Sequence, residues 1–517
     1  MAIVYSRLWH RLAEKGMKKQ DLREAAGISR SSIAKLGKNE IVTTEVLDKI
    51  CVALDCNLSD IAEVTKETTP TVSNCYLLHE SNGLQYRLNS FFAGIGGFDI
   101  GFERHGFKTQ YLCEINDFCN DVLKTHWPSV QMATDICSID PNEIPEAEVW
   151  CGGFPCQDIS VARGASKRLG LGGTRSGLFF QYAQLIEQKQ PEVVIIENVE
   201  GLFNSNGGRD FGVILQRMSA LGYAVAWRLL NSRYFGVPQS RPRIYFCCWK
   251  NSPSKAQRVM FDPEGAFKPS NERKDFITEA AAKSVYPKVP RVAYCLAATS
   301  GRHTGTDWSR TYVVFSGGVR RLTPKEYERL QGFPDGWTLP CTYNPETDDT
   351  DTLRYTAVGN AVSVPVVEWV AHRVHRELSC SYTIPSRDEL QSFVPEFNKS
   401  HWMPTRLSEI DFSDASVSYK WPKAGLAWDD SYIGGNVPPT PAQPIPSSLV
   451  EIVEKEDVGE RYTLTPNAAE GILRRVDNNG RKLFPPLRAA LEKEKAKKIK
   501  EVCLNDVCYT AAGQNQR

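Results

Sequence analysis

Apolar positions fall into four regimes along the chain. Over residues 1–66 they recur at helical spacing, and proline is absent. Leu8, Trp9 and Leu12 share one side of a helix expected over 6–15, and a short second helix follows over 19–26. Gly27-Ile28-Ser29 makes a turn, and Ser29 is placed to cap a third helix starting at Arg30. Ile33 and Leu36 face inward on that helix, while Val46, Leu47, Ile50, Val52 and Leu54 line a fourth. Two short helices around a glycine turn are a helix-turn-helix pattern. Residues 67–87 read as a linker. From 88 to 377 short apolar runs alternate with helical stretches, the pattern of an α/β domain. Residues 378–461 read as an irregular linker because of Val437-Pro438-Pro439-Thr440-Pro441, and 462–517 as a partly helical tail.

Composition narrows the class. Of 517 residues, 41% are hydrophobic and 24% charged, ordinary for a soluble protein of more than one domain. No apolar run is long enough to cross a bilayer, and the first residues lack a signal-peptide pattern. Lys plus Arg is 62 and Asp plus Glu 61, a formal net charge of +1. That excludes a uniformly basic coat protein but not local basic surfaces. One stands out: residues 250–321 hold 13 basic and six acidic residues. Fifteen cysteines without zinc-ligand spacing indicate reduced thiols in a cytoplasm, with no metal site.

Candidate chemistry sits in the α/β section. The strand-like run ending at Phe92 enters Ala93-Gly94-Ile95-Gly96-Gly97 and then a helix. Strand, glycine turn and helix suit a nucleotide-like ligand, because glycine lets the backbone approach it closely. Glu114 ends the next strand about 20 residues on, where a carboxylate can accept from ribose hydroxyls. Asp135, followed by Ile136, occupies the corresponding place one unit later. Cys156 stands on a constrained loop, Gly152-Gly153-Phe154-Pro155-Cys156-Gln157. The apolar run 193–196 ends in Glu197-Asn198-Val199, and Gln239-Ser240-Arg241-Pro242-Arg243 follows.

In order and content these segments resemble the cytosine-C5 DNA methyltransferase family. The resemblance continues through Arg321-Leu322-Thr323-Pro324, Leu330-Gln331-Gly332-Phe333-Pro334 and Val358-Gly359-Asn360-Ala361-Val362. Phe154 departs from the commoner proline, and Ile159 from phenylalanine. The resemblance implies a Rossmann-like, S-adenosylmethionine-dependent domain over 88–249 and 321–377, interrupted by a small target-recognition region over 250–320. It implies that Cys156 adds to C6 of a flipped-out cytosine. Glu197 would then hold the ring at N3 and the amine, and Arg243 the ring carbonyl, with Arg241 in support. For the cofactor it implies Phe92 through Gly97, Glu114, Asp135, Ile136, Pro155, Asn360 and Val362. Residues 1–66 resemble helix-turn-helix domains of phage-repressor type, which implies DNA contact through Arg30, Ser31, Ser32 and Lys35. In the recognition region Arg302 and His303 are the candidates.

The partners implied are double-stranded DNA and, in a restriction-modification setting, a cognate endonuclease without a stable complex; no membrane is involved. The competing expectations are a transcriptional regulator acting through the helix-turn-helix and a tRNA cytosine methylase.

Overall fold

A computed structural model describes most of 2–65, then 85–155, 177–269, 276–277, 286–299, 309–339, 350–455 and 458–497. Within 2–65, residues 6–7, 9–10, 13–14, 16, 18, 38–41, 58–60 and 62 are not described. The chain divides into two compact units, Met1–Ser73 and Asn74–Arg517.

The first unit is helical, with one addition to the expected pattern. A strand β1 (Ala2–Val4) pairs antiparallel with β2 (Glu63–Thr65), joining the ends of the unit. Both strands carry β-branched residues, which favour the extended backbone. Between them lie α1 (Lys19–Ala25), α2 (Arg30–Gly37) and α3 (Thr44–Leu54). The Ser29 hydroxyl accepts from the Ser32 amide at 3.0 Å, and Gly27 takes φ +60° in the turn. Leu8, Leu12, Leu22, Leu36, Leu47, Ile50 and Leu54 form the core. Val52, expected inside, is 76% exposed. One residue from α3's inward row, at 100° per residue, its side chain faces water.

The second unit is built on a nine-stranded sheet. Its strands are β3 (Tyr86–Phe91), β4 (Phe107–Cys113), β5 (Gln131–Ala133), β6 (Val149–Gly152), β7 (Val193–Val199), β8 (Tyr223–Asn231) and β9 (Pro242–Lys250). The last two are Ala424–Trp428 and Ser431–Gly435. The sheet runs from Ser431–Gly435 through Ala424–Trp428 to β8, β9, β7, β6, β3, β4 and β5. Strands β5, β4, β3, β6 and β7 are parallel, and everything beyond β7 pairs antiparallel. The chain leaves β3 toward β4 and β5, then returns to β6 on the other side. That reversal opens a crevice at the carboxyl ends of β3 and β6, the place where doubly wound sheets bind ligands. Two apolar layers cover the faces. One uses Phe98 and Phe102, Ala256, Val259 and Met260, and the helix Val364–Leu378. The other uses the helices Leu178–Lys189 and Arg209–Ala220.

Residues 378–461 are not the irregular linker that their prolines suggest. Ala424–Trp428 pairs with β8, and Leu407, Phe412 and Trp421 join the core. Asp429 and Asp430 take φ +51° and +57°, the left-handed pair that a two-residue hairpin needs. The proline run is a strap across the sheet: the Pro439 carbonyl accepts from the Asn231 amide at 2.9 Å. Described parts of the region 250–320 join the catalytic unit. Pro253–Met260 is a helix of the catalytic layer, and residues 293–296 lie on Gln239 and Arg241. A hairpin of β10 (Tyr312–Phe315) and β11 (Gly318–Arg321) has its own core, shared with Leu464, Ile472, Leu473, Phe484 and Leu487. The tail beyond 462 therefore packs on the insert, through the helix Pro466–Asn478 and a helical stretch over 485–497.

Candidate active site

The crevice at the sheet reversal is a cleft of about 450 Å³. Phe92, Ala93 and Gly94 supply one wall. Phe92 itself has φ +53°, a conformation uncommon for a bulky side chain and typical of functional sites. Gly94 takes φ +57°, and a Cβ built on it meets no atom within 4 Å. It borders open space, so the backbone is bare where a ligand would approach. Gly96 and Gly97 do something else. A Cβ on Gly96 would stand 2.3 Å from Trp127, and one on Gly97 2.6 Å from Val362. These two, with the fully buried Ile95, do not line the cleft. At these two positions the absence of a Cβ lets the following helix pack tightly against Trp127 and Val362.

Glu114 closes the next strand. Its carboxylate accepts from the amides of Gly94 and Asn116, both at 2.8 Å. Asp135 caps a short helical turn, accepting from the Cys137 amide at 2.9 Å. Both acids line the cleft with Ile136, Pro155, Asn360 and Val362. The sequence reading missed Ile115, which lines the cleft and is 74% exposed. The signal was its place directly after Glu114 at a strand end. Leu353, Thr356 and Ala357 were missed too, because they precede the motif residues Val358-Gly359-Asn360 on the same helix (Thr350–Asn360).

The opposite wall carries charge. Glu197, at the end of β7, faces Arg243 on β9, with Arg243 Nε 3.0 Å from Glu197 Oε1. Their strands are paired through Glu197↔Tyr245 and Val199↔Arg243. The side chains are 11% and 15% exposed, so this is a buried pair and not a surface salt bridge. Burial raises the Glu197 carboxyl above its ordinary range, opposed by Arg243 and Arg241. Arg241 is clamped: it donates to the carbonyls of Leu296 at 2.8 Å, Gly359 at 3.1 Å and Ala361 at 2.8 Å. Burial lowers its pKa. The Asn198 amide donates to the Phe154 carbonyl at 3.1 Å, fixing the loop just before Pro155.

Cys156 lies outside the described residues, as do Arg302 and His303. Cys113, Cys151 and Cys247 suit a structural role: burial pushes Cys113 up to about 12, and Cys151 and Cys247 well above their usual value. Arg30, Ser31 and Lys35 are exposed on α2, and Ser32 half-buried.

Residues 86–289 and 286–376 match the family profile of C-5 cytosine-specific DNA methylases, more than half of the chain. The chain belongs to that family. It is a DNA cytosine methyltransferase, and residues 7–67 match the Cro/C1-type HTH DNA-binding domain. The methylase is 32% identical over 326 residues to type II methyltransferase M.NgoBI of Neisseria gonorrhoeae, covering 58% of this chain and 95% of that one. It is 32% identical to M.HaeII of Haemophilus aegyptius, covering 56% and 92%. It is 32% identical to M2.BsuMI of Bacillus subtilis, covering 55% and 74%. These matches span little more than half of the methylase. The unit 1–73 and the segment beyond 377 are additions to the shared catalytic part. No described helix is long and apolar enough to cross a membrane.

Proposed function

We propose that the methylase transfers a methyl group from S-adenosylmethionine to C5 of a flipped-out cytosine in a short DNA sequence. The observation that carries this reading is the buried Glu197–Arg243 pair facing the bare backbone of Gly94 across one cleft. The residues fit the cofactor. Gly94 leaves room, Glu114 and Asp135 offer carboxylates, and Phe92, Ile115 and Ile136 offer apolar surface. Asn360 and Val362 close the same cleft. When bound, S-adenosylmethionine supplies the electrophilic methyl group.

Each residue of the chain then has a task. The Cys156 thiolate bonds to C6 of the ring, and electron density moves to C5. Glu197 in its acid form donates to N3, balancing the charge that develops as the adduct forms. Arg243 holds the ring carbonyl oxygen, turning from Glu197 toward the base. Arg241 keeps β9 and the 293–297 segment in register around it. After C5 is methylated, it loses its proton to a base, the C6–S bond breaks, and Cys156 leaves as thiolate. The target base reaches the cleft only by leaving the duplex. Incubation with tritiated S-adenosylmethionine and either duplex DNA or tRNA tests the reading. Label in DNA cytosine supports it; label in tRNA alone refutes it.

The exposed Arg30 and Lys35 on a Ser29-capped helix support a second activity, binding of the methylase's own promoter. The setting is then a bacterial or phage modification system, with or without a partner endonuclease. Arg30→Glu with Lys35→Glu removes promoter binding in a gel-shift assay and leaves methylation intact; promoter binding that survives contradicts this activity.

A further inference from the structure

The charge of the second unit is concentrated in one place. Residues 286–299, 309–321 and 458–497 contain 14 basic and five acidic residues, an excess of nine in a chain whose net charge is +1. The rest of the chain is therefore acidic overall. Insert and tail, distant in sequence, fold into this basic body. Val314 pairs with Lys288, and Arg320 with Thr463. The Leu464 amide donates to the Val319 carbonyl at 2.8 Å. A Cβ on Gly318 would stand 2.8 Å from the Glu494 carboxylate, so the 485–497 helix lies directly over the hairpin turn. One apolar core, including Val319, Ile472, Leu473 and Leu487, holds the body together.

This body is rooted at the cleft. The Tyr462 hydroxyl donates to Asp351 at 2.9 Å, and Arg461 reaches the same carboxylate at 3.4 Å. Asp351 stands two residues before Leu353, on the helix that lines the cleft. On the other side, Leu296 binds Arg241 and Gln239.

We propose that residues 458–497 complete a DNA-docking lobe beside the cleft, with the exposed Arg474 and Lys482 on backbone phosphates. The hairpin of the insert buries Tyr312, Val314 and Val319 against the tail, so the two form one body. The partner is duplex DNA, identified by charge complementarity and by the adjoining cytosine site, and the inference rests on the methyltransferase reading.

The test compares the full-length protein with Arg474→Gln/Lys482→Gln and with Arg474→Lys/Lys482→Arg. Fluorescence anisotropy measures the Kd for a duplex across a salt series, and methyl transfer at saturating DNA measures kcat. Each phosphate contact contributes about 0.9 to the slope of log Kd against log salt. The Gln pair flattens that slope by about 1.8 and weakens binding roughly tenfold at low salt, with kcat and thermal unfolding unchanged. The charge-retaining pair behaves as wild type. An unchanged slope in the folded Gln pair overturns the proposal, as does equal weakening in both pairs. Because binding is read without turnover, absence of DNA methylation by the wild type would sink the methyltransferase reading separately.

Discussion

Asp99 offers a sharp physical test of the catalytic unit. It lies on the helix that follows the glycine turn (Gly97–Glu103) and is fully buried. One carboxylate oxygen accepts from the Thr109 hydroxyl at 3.3 Å. Burial raises its pKa to about 7, opposed by a Ser90 hydrogen bond and aided by Glu103. The folded state therefore binds a proton that the unfolded state has already lost above pH 4. Stability from this group is complete below the unfolded pKa and falls as pH rises toward the folded one. Between pH 5.5 and about 7 the loss is about 2 kcal/mol, at about 1.4 kcal/mol per pH unit. Asp99→Asn has no such proton to lose. Urea unfolding followed by tryptophan fluorescence at pH 5.5 and 8 measures it, since 10 of the 11 tryptophans lie beyond residue 73. The wild type should lose about 2 kcal/mol more than the variant over that interval. Identical pH dependence in the two proteins would refute the reasoning.

Other substitutions follow from the site. Arg241→Ala strips charge-assisted hydrogen bonds from three buried carbonyls and should cost roughly 3–5 kcal/mol in denaturant unfolding. Gly96→Ala meets both a φ of +80° and the Trp127 ring, and a loss of roughly 2–4 kcal/mol is expected from the thermal midpoint. Glu197→Gln keeps the shape but not the transferable proton. Its kcat should fall about 10²–10⁴-fold, while calorimetry shows S-adenosylmethionine binding intact.

The parallel half of the sheet was legible because each motif marks a strand end: the glycines after β3, Glu114 after β4, Glu197 in β7. Motifs alone could not separate Gly94, which borders the cleft, from Gly96 and Gly97, which face Trp127 and Val362. Both kinds are glycines for steric reasons, but the obstructing atoms come from residues distant in sequence. The antiparallel extension was hidden for another reason. Ala424–Trp428 and Ser431–Gly435 are five residues each and sit among prolines, and their turn is Asp429-Asp430 and not a glycine pair. The tail's true partner, the 312–321 hairpin, lies more than 140 residues earlier, beyond the reach of any periodicity. The net charge of +1 likewise concealed a basic body assembled only by folding.

The central claim is cytosine-C5 methylation by a Cys156-dependent mechanism. Bisulfite sequencing of DNA from cells expressing the wild type or Cys156→Ser tests it most directly. The account predicts protected cytosines within one short recurring sequence for the wild type and none for the variant. Absence of protection with the active wild type, or full protection by Cys156→Ser, would contradict it.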